Sequence, residues 1–355
     1  MSNETGTQRL DGLTRRAEAG DSAAMQALVA YFSSAHRYDD ATVWLRRLVD
    51  AGHPGAMLQL GGQLLIGMGV PAAPAEGVRL VTVAAQKGVV PAFALLAASA
   101  AAGLGCKQDF GAALTLLGRA ARHDFPPAVT QVAALNAAGL GTPVALAASA
   151  ATKGKRRVLS EDPLVVAFDN FLEPSLCAYM IARSQGRLEP AKVFDWETGA
   201  SSMLDGRSAT SAAFAFFDTD VISWLIRTRI AATMGVPLGH LEQTTVIHYD
   251  PGQHYAPHFD FIESHEQKAQ DEIARYGQRE RTFLIYLNED YADGATEFPL
   301  LGISHKGARG SALGFVSVSA AGDLDRRTVH AGLPPATGQK WLLSQWIRNR
   351  DQGVQ

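Results

Sequence analysis

His258, Phe259 and Asp260 form a His-x-Asp triplet, and His330 follows the first histidine by seventy-two residues. Two imidazoles and one carboxylate can occupy one face of an octahedral metal. The three remaining positions then stay open for chemistry, as in the facial triads of non-haem iron centres. Residues 258 and 260 differ by two, so on one extended strand both side chains point to the same side. A bare triplet of this type also arises as a loop histidine beside a solvated acid. What it is worth depends on the elements that would hold it.

Those elements begin near Val158. Short apolar runs with β-branched and aromatic residues replace the Ala-rich pattern that precedes them. Strands are expected at Leu164–Phe168, Thr244–Tyr249, Thr282–Leu287, Ala312–Val318 and Trp341–Ile347. Helices are expected at Ser175–Ser184 and Val221–Met234, the second amphipathic with Val221, Leu225 and Ile230 facing the core. Such an order points to an α+β domain with a mainly antiparallel sheet or barrel. By alternation Lys340, Leu342, Ser344 and Trp346 share one face of the last strand. A lysine inside a barrel needs a charged partner, because an unpaired buried ammonium is costly. The plainer reading is a lysine snorkelling at a strand end.

The first 150 residues repeat. Gly67-Met68-Gly69, Gly103-Leu104-Gly105 and Gly139-Leu140-Gly141 recur at intervals of 36, with Ala56, Ala92 and Ala128 in the same register. An earlier copy, Ala24-Met25, lies 32 residues before Ala56-Met57 and has a shortened turn at Ser33–His36. Each unit reads as two small-residue helices around a Gly-x-Gly turn, Ala56–Ile66 then Ala75–Ala85, and Ala92–Ala102 then Phe110–Ala121. Periods of this size mark helix-turn-helix units that bury a core only by stacking. Two domains follow, helical repeats over 10–152 and an α+β domain over 158–350. The basic run Lys153–Arg157 reads as a solvated joint.

Composition bounds the function. The chain has 355 residues, 47% of them hydrophobic and 19% charged, as in globular proteins. A net charge of −3 gives no general attraction to nucleic acid or anionic membrane. The uncharged stretches Val89–Cys106 and Val129–Thr152 are Ala-rich and broken by Gly or Pro, which suits buried helices rather than membrane spans. Cys106 and Cys177, far apart, form no disulfide framework. With a polar N-terminus lacking an apolar signal core, they point to a reducing cytoplasm.

Four ordered motifs over roughly Val158–Arg350 resemble the prolyl 4-hydroxylase family. They are Thr245–Asp260, Arg281–Asn288, His330-Ala331-Gly332-Leu333-Pro334 and Gly338-Gln339-Lys340-Trp341 with Gln345–Arg348; Asp169–Leu172 and Arg207–Thr210 fit the same family. The repeats resemble the Sel-one-like class of tetratricopeptide-like arrays. The resemblance implies a double-stranded β-helix (jelly roll) that carries Fe(II) on His258, Asp260 and His330. It implies 2-oxoglutarate held by Lys340, with Tyr249, Tyr286, Thr296 and Trp346 around it, O2 as oxidant and ascorbate as reductant. Arg207 and Tyr255 would lie on the substrate side. His248, His254, His265 and His305 fall outside the family's ligand pattern.

The implied activity is hydroxylation of an unactivated C–H bond, of a prolyl residue in a peptide or protein. A second reading keeps the chemistry on a free amino acid such as proline, with the repeats mediating self-association. A third makes the repeats a protein-binding scaffold beside a vestigial oxygenase. Neither nucleic acid nor membrane is an expected partner. Three features depart from the family: Asp293-Gly294-Ala295-Thr296 where a Gly-Gly pair is usual, the segment Gly302–Gly310, and the long charged segment Glu263–Glu280, expected to be helical and placed to act as a lid.

Overall fold

The computed structural model describes residues 2–191, 193–194, 201–202, 206–215, 218, 220–263 and 266–353. Two compact units result, residues 1–132 with 142–144, and residues 133–141 with 145–355.

The first unit is helical. Its elements are Ser2–Glu18 (α1), Ser22–Ser34 (α2), Tyr38–Asp50 (α3), Pro54–Ile66 (α4), Pro74–Gln86 (α5), Val90–Ala102 (α6) and Phe110–Arg122 (α7). Pro126–Ala137 (α8) and Pro143–Ala150 (α9) follow. Starts and stops follow from side chains. Asp21 and Asp109 accept hydrogen bonds from backbone N–H groups of the first turns they cap. Gly67 and Gly103 end α4 and α6 in the left-handed conformation.

The second glycine of each turn has a different task. A Cβ on Gly69 would lie 2.4 Å from Tyr38 Cβ, and one on Gly105 would lie 2.3 Å from the Pro74 carbonyl oxygen. Tyr38 and Pro74 are themselves 36 apart, so the sequence period is also a contact period. At Gly141 the register lapses, and its virtual Cβ meets Asn136 instead.

The second unit carries the sheets. The larger is antiparallel with eight strands, in the order Lys155–Glu161 (β1), Leu164–Asp169 (β2), Ala312–Val316 (β13), Arg279–Tyr286 (β9), Lys340–Arg348 (β16), Thr244–Tyr249 (β7), Thr210–Phe214 (β6) and Glu189–Pro190 (β3). The smaller has four, Ile303–His305 (β12), Thr296–Phe298 (β11), His330–Gly332 (β14) and Tyr255–His258 (β8). Val193–Phe194 (β4) pairs with Ser201–Ser202 (β5), and Ala292–Asp293 (β10) with Pro335–Thr337 (β15). The basic run read as a joint is thus partly β1, and its strand pairs with β2 from Lys155 onward.

The core lies between the two sheets. Val165, Ala167, Leu284, Leu313, Phe315 and Leu342 of the large sheet meet Phe298 of the small one. Alternation then places Phe168 and Phe283 on the outer face, where they pack with Phe171. Two helices belong to this unit, Pro174–Ser184 (α10) and Val221–Met234 (α11). α11 is buried on nearly every side rather than amphipathic. Its Arg229 is 1% exposed and pairs with Glu173, Ser149 and the Phe171 carbonyl. Gln267–Tyr276 (α12) is the helix expected within Glu263–Glu280. Arg348 fastens its C-terminal end by binding Glu272 and the Gly277 carbonyl. No helix among the described residues is long and apolar enough to cross a membrane.

Candidate metal and cosubstrate site

β8 and β14 are neighbours, and His258 pairs directly with His330 in the antiparallel register. Asp260 is placed differently from the sequence expectation. β8 ends at His258, and Asp260 lies in the bend beyond it. The three side chains still converge. Asp260 Oδ1 lies 3.7 Å from His258 Nε2, and Oδ2 lies 3.5 Å from His330 Nε2. One ligand atom from each residue falls within 4.8 Å of the others.

Hydrogen bonds fix which atoms face the centre. His258 Nδ1 donates to the Ala256 carbonyl at 2.8 Å and His330 Nδ1 to the Thr328 carbonyl at 3.1 Å. Each Nε2 is then left as the lone-pair donor, the tautomer a metal requires. Burial, reinforced by His330, pushes the His258 imidazole down to about 3, so it is neutral near pH 7. Burial pushes the Asp260 carboxyl up, but His330, His258 and the Thr282 hydroxyl outweigh it and hold it below the usual range. Thr282 Oγ1 donates to Asp260 Oδ2 at 2.6 Å.

Stacked rings brace the ligands. His330 lies between Phe298, at 5.4 Å between centroids, and Phe315, at 4.8 Å. Tyr255 lies face to face with His258 at 3.5 Å, and the Arg207 guanidinium sits 4.4 Å above the Tyr255 ring. Arg207 and Tyr255 therefore form one wall beside the ligands rather than two separate contacts. His248 binds Thr210 on the other side of the large sheet, next to Trp341. His254 and His305 are likewise outside the cluster, and His265 lies outside the described residues.

Lys340 lines the same pocket as the triad, together with Tyr249, Thr296, Leu342, Ser344 and Trp346. It is 0% exposed, and its Nζ has no hydrogen-bond partner. The nearest aromatic face is Tyr249, with its centroid 5.0 Å from Nζ. Burial alone lowers the ammonium to about 7. A buried cationic group without an anion is expensive, so this atom fits the negative end of a bound ligand. The snorkelling alternative does not apply.

Tyr249 is also buried, and burial pushes its phenol up to about 12, which keeps it a neutral donor. Tyr286 is placed otherwise than expected of a pocket residue. Its hydroxyl lies 2.9 Å from Thr296 Oγ1 and 3.2 Å from the His305 carbonyl, so it braces Thr296 from within the core. Trp346 forms a pocket wall with the Arg279 guanidinium 3.7 Å from its ring centroid. Arg279 and Arg348 both bind Glu242, a residue with no motif of its own in the sequence.

The donor set fits a divalent iron, with two neutral imidazoles, one carboxylate and open coordination space. The orphaned Lys340 fits the distal carboxylate of a dicarboxylic cosubstrate.

Comparison with known proteins agrees. Residues 244–348 match the model of the 2OG-Fe(II) oxygenase superfamily, a span that holds His258, Asp260, His330 and Lys340. Prolyl 4-hydroxylase 1 of Arabidopsis thaliana is 31% identical over 210 residues, covering 55% of this chain and 72% of the relative. The prolyl 4-hydroxylase subunit alpha-1 of Rattus norvegicus is 31% identical over 192 residues, but the match spans only 36% of that subunit. Among solved structures, the viral collagen prolyl hydroxylase of Paramecium Bursaria Chlorella virus-1 in its 2OG complex is 25% identical, covering 52% of this chain and 95% of that one, with a TM-score of 0.40. A Sel1 repeat protein of Oxalobacter formigenes covers 40% of this chain and 61% of its own, at 20% identity and a TM-score of 0.36. The chain belongs to the prolyl 4-hydroxylase family of 2-oxoglutarate- and iron(II)-dependent dioxygenases.

Proposed function

We propose that the protein hydroxylates a prolyl residue of a peptide or protein. The buried, unpartnered Lys340 beside the His258, Asp260 and His330 cluster carries this reading. A vestigial domain has no physical reason to retain an unpaired ammonium in its core, which counts against the scaffold alternative.

His258, Asp260 and His330 hold the iron, and Lys340 holds the far carboxylate of 2-oxoglutarate, with the Tyr249 hydroxyl as a second donor. Bound iron, with 2-oxoglutarate and O2, supplies the oxidising chemistry that converts C–H to C–OH and yields succinate and CO2. The protein's part is placement. Thr282 orients Asp260, Tyr286 braces Thr296, and the Arg207–Tyr255 stack forms the wall against which the substrate lies. Phe298 and Phe315 keep water from His330. The facing sheets serve as the double-stranded β-helix of the family. Ascorbate would keep the iron reduced, and the two free cysteines suit a cytoplasmic setting.

The helical repeats favour a polypeptide substrate over a free amino acid, since solenoids present long surfaces to chains. The test is turnover of 2-oxoglutarate with iron and ascorbate, offering proline-rich peptides and free L-proline in parallel. Succinate release with a one-oxygen mass gain on a peptide is the expected result. Equal turnover on free proline would move the function to the amino acid. Loss of 2-oxoglutarate turnover with every substrate, in a folded iron-loaded protein, would refute it.

A further inference from the structure

A second cleft lies on the reverse of the large sheet. Val165, Ala167, Leu284 and Phe315 point into the core between the sheets. Leu164, Val166, Phe168 and Val316 therefore point the other way, and together they floor a cavity of about 310 Å³. That volume is at the lower end of the range for small-molecule sites, about 300–1,000 Å³.

Its charges have one sign. Lys153, Arg156 and Arg281 line it, and no acidic residue does. Arg281 gives one N–H to the Met234 carbonyl, which ends α11. Lys153 and Arg156 have no ion pair among the described residues. Thr233 adds a donor. Thr42, Thr82, Thr115 and Thr130 each donate back to the carbonyl four residues earlier, as helical threonines commonly do. Thr233 Oγ1, also helical, is buried with no partner, and the residue lines the cleft.

An apolar floor, a cationic rim and an unused hydroxyl together describe a receptor for an amphipathic anion. We infer that this cleft binds a small organic acid with an apolar body, of the class of medium-chain aliphatic carboxylates. The carboxylate lies against Lys153, Arg156 and the Thr233 hydroxyl, and the chain lies on Leu164, Val166 and Val316. The site is separate from the iron centre. Its lining shares no residue with the pocket of His258, Asp260, His330 and Lys340, although Phe315, which borders the cleft, also contacts the His330 ring.

The test is calorimetric titration of the full chain with sodium octanoate, octan-1-ol and inorganic phosphate. Saturable octanoate binding is expected, at least tenfold tighter than either comparator. The Lys153→Gln/Arg156→Gln double variant should bind octanoate at least tenfold more weakly. Both residues are exposed, so its thermal melt should match the parent. Octanoate should also protect Lys153 from an amine-reactive label, read by mass spectrometry. Unchanged octanoate affinity in the double variant would overturn the inference, as would equal binding of octanol or phosphate. Sedimentation with phosphatidylglycerol vesicles in the absence of octanoate binding would assign the patch to a membrane and also overturn it.

Discussion

Thr282 and Asp260 are joined by a 2.6 Å hydrogen bond inside the core, on the carboxylate oxygen that faces His330. Without it Asp260, which lies beyond the end of β8, has no strand to hold its rotamer. Removing the hydroxyl with Thr282→Val is expected to weaken iron(II) binding roughly 10–100-fold, the usual effect of losing an outer partner of a ligand. Thr282→Ser should restore it. Titration of the metal-free protein reads this directly, and an unchanged affinity in the valine variant would count against the positioning role.

Lys340 sets a pH dependence. Burial lowers its ammonium from 10.5 to about 7 in the folded, ligand-free protein. The fold therefore releases a proton that the unfolded chain keeps, and the resulting penalty is absent above about pH 10.5 and complete below about 7. Lys340→Met removes the penalty. The ligand-free variant should melt higher than the parent at pH 6, with the gap closing toward pH 10. Its KM for 2-oxoglutarate should rise roughly 30-fold or more, about 2 kcal/mol for truncating one side of a buried charge pair. In the parent, 2-oxoglutarate affinity should fall as pH climbs above 7. A variant that melts lower at every pH would show that Lys340 is already paired.

Glu242 holds two arginines at once. Its carboxylate accepts from Arg279 at 2.6 Å and 2.9 Å and from Arg348 at 2.7 Å. Burial pushes this carboxyl up, and the guanidiniums outweigh burial to hold it below the ordinary range. Its stabilisation is present above the unfolded carboxyl's pKa and is lost as pH falls through the lower folded value. Glu242→Gln takes the carboxylate from half-buried Arg279 and leaves buried Arg348 with Glu272 alone as its counter-ion, and should cost roughly 3 kcal/mol, read by urea denaturation. Because Arg279 sits on Trp346, the pocket tryptophan's fluorescence should change as well. Stability within 1 kcal/mol of the parent would mean the arginines find other acceptors.

Gly105→Ala tests the repeat stacking. The new methyl would stand 2.3 Å from the Pro74 carbonyl oxygen, on a backbone with φ of +69°. Strain and overpacking together predict a loss of at least about 2 kcal/mol. Gly139→Ala, where a Cβ would meet nothing within 4 Å, keeps only the backbone term. Thermal melts of the two variants should differ accordingly, and equal losses would mean that the close approach does not matter.

The parts of this site visible in the sequence are those governed by local rules. Parity alone placed Lys340, Leu342, Ser344 and Trp346 on one face, and all four line the pocket. The five strands expected from the sequence lie within three residues of β2, β7, β9, β13 and β16 at both ends. Partnerships across the sheets were not visible. Thr282 has the same parity as Leu284 and Tyr286, a hydroxyl on an inward face, and that was its only signal. Glu242, 37 residues from Arg279 and 106 from Arg348, gave none. Tyr286 matched a family tyrosine, but its geometry commits it to Thr296. The basic run at Lys153–Arg157 reads as a linker by its charge, and its pairing with the apolar β2 exists only in the folded sheet.

The two halves of the site ride on backbone of unequal tenacity. Lys340 begins a nine-residue strand hydrogen-bonded on both edges, to β7 and β9. His258 and His330 sit on strands of four and three residues. Short strands open locally at lower free energy than a central one. As the domain is heated or denatured, it should therefore shed its metal before it loses its cosubstrate lysine, and the iron-free state should be a folded species with a reusable pocket rather than the first step of collapse.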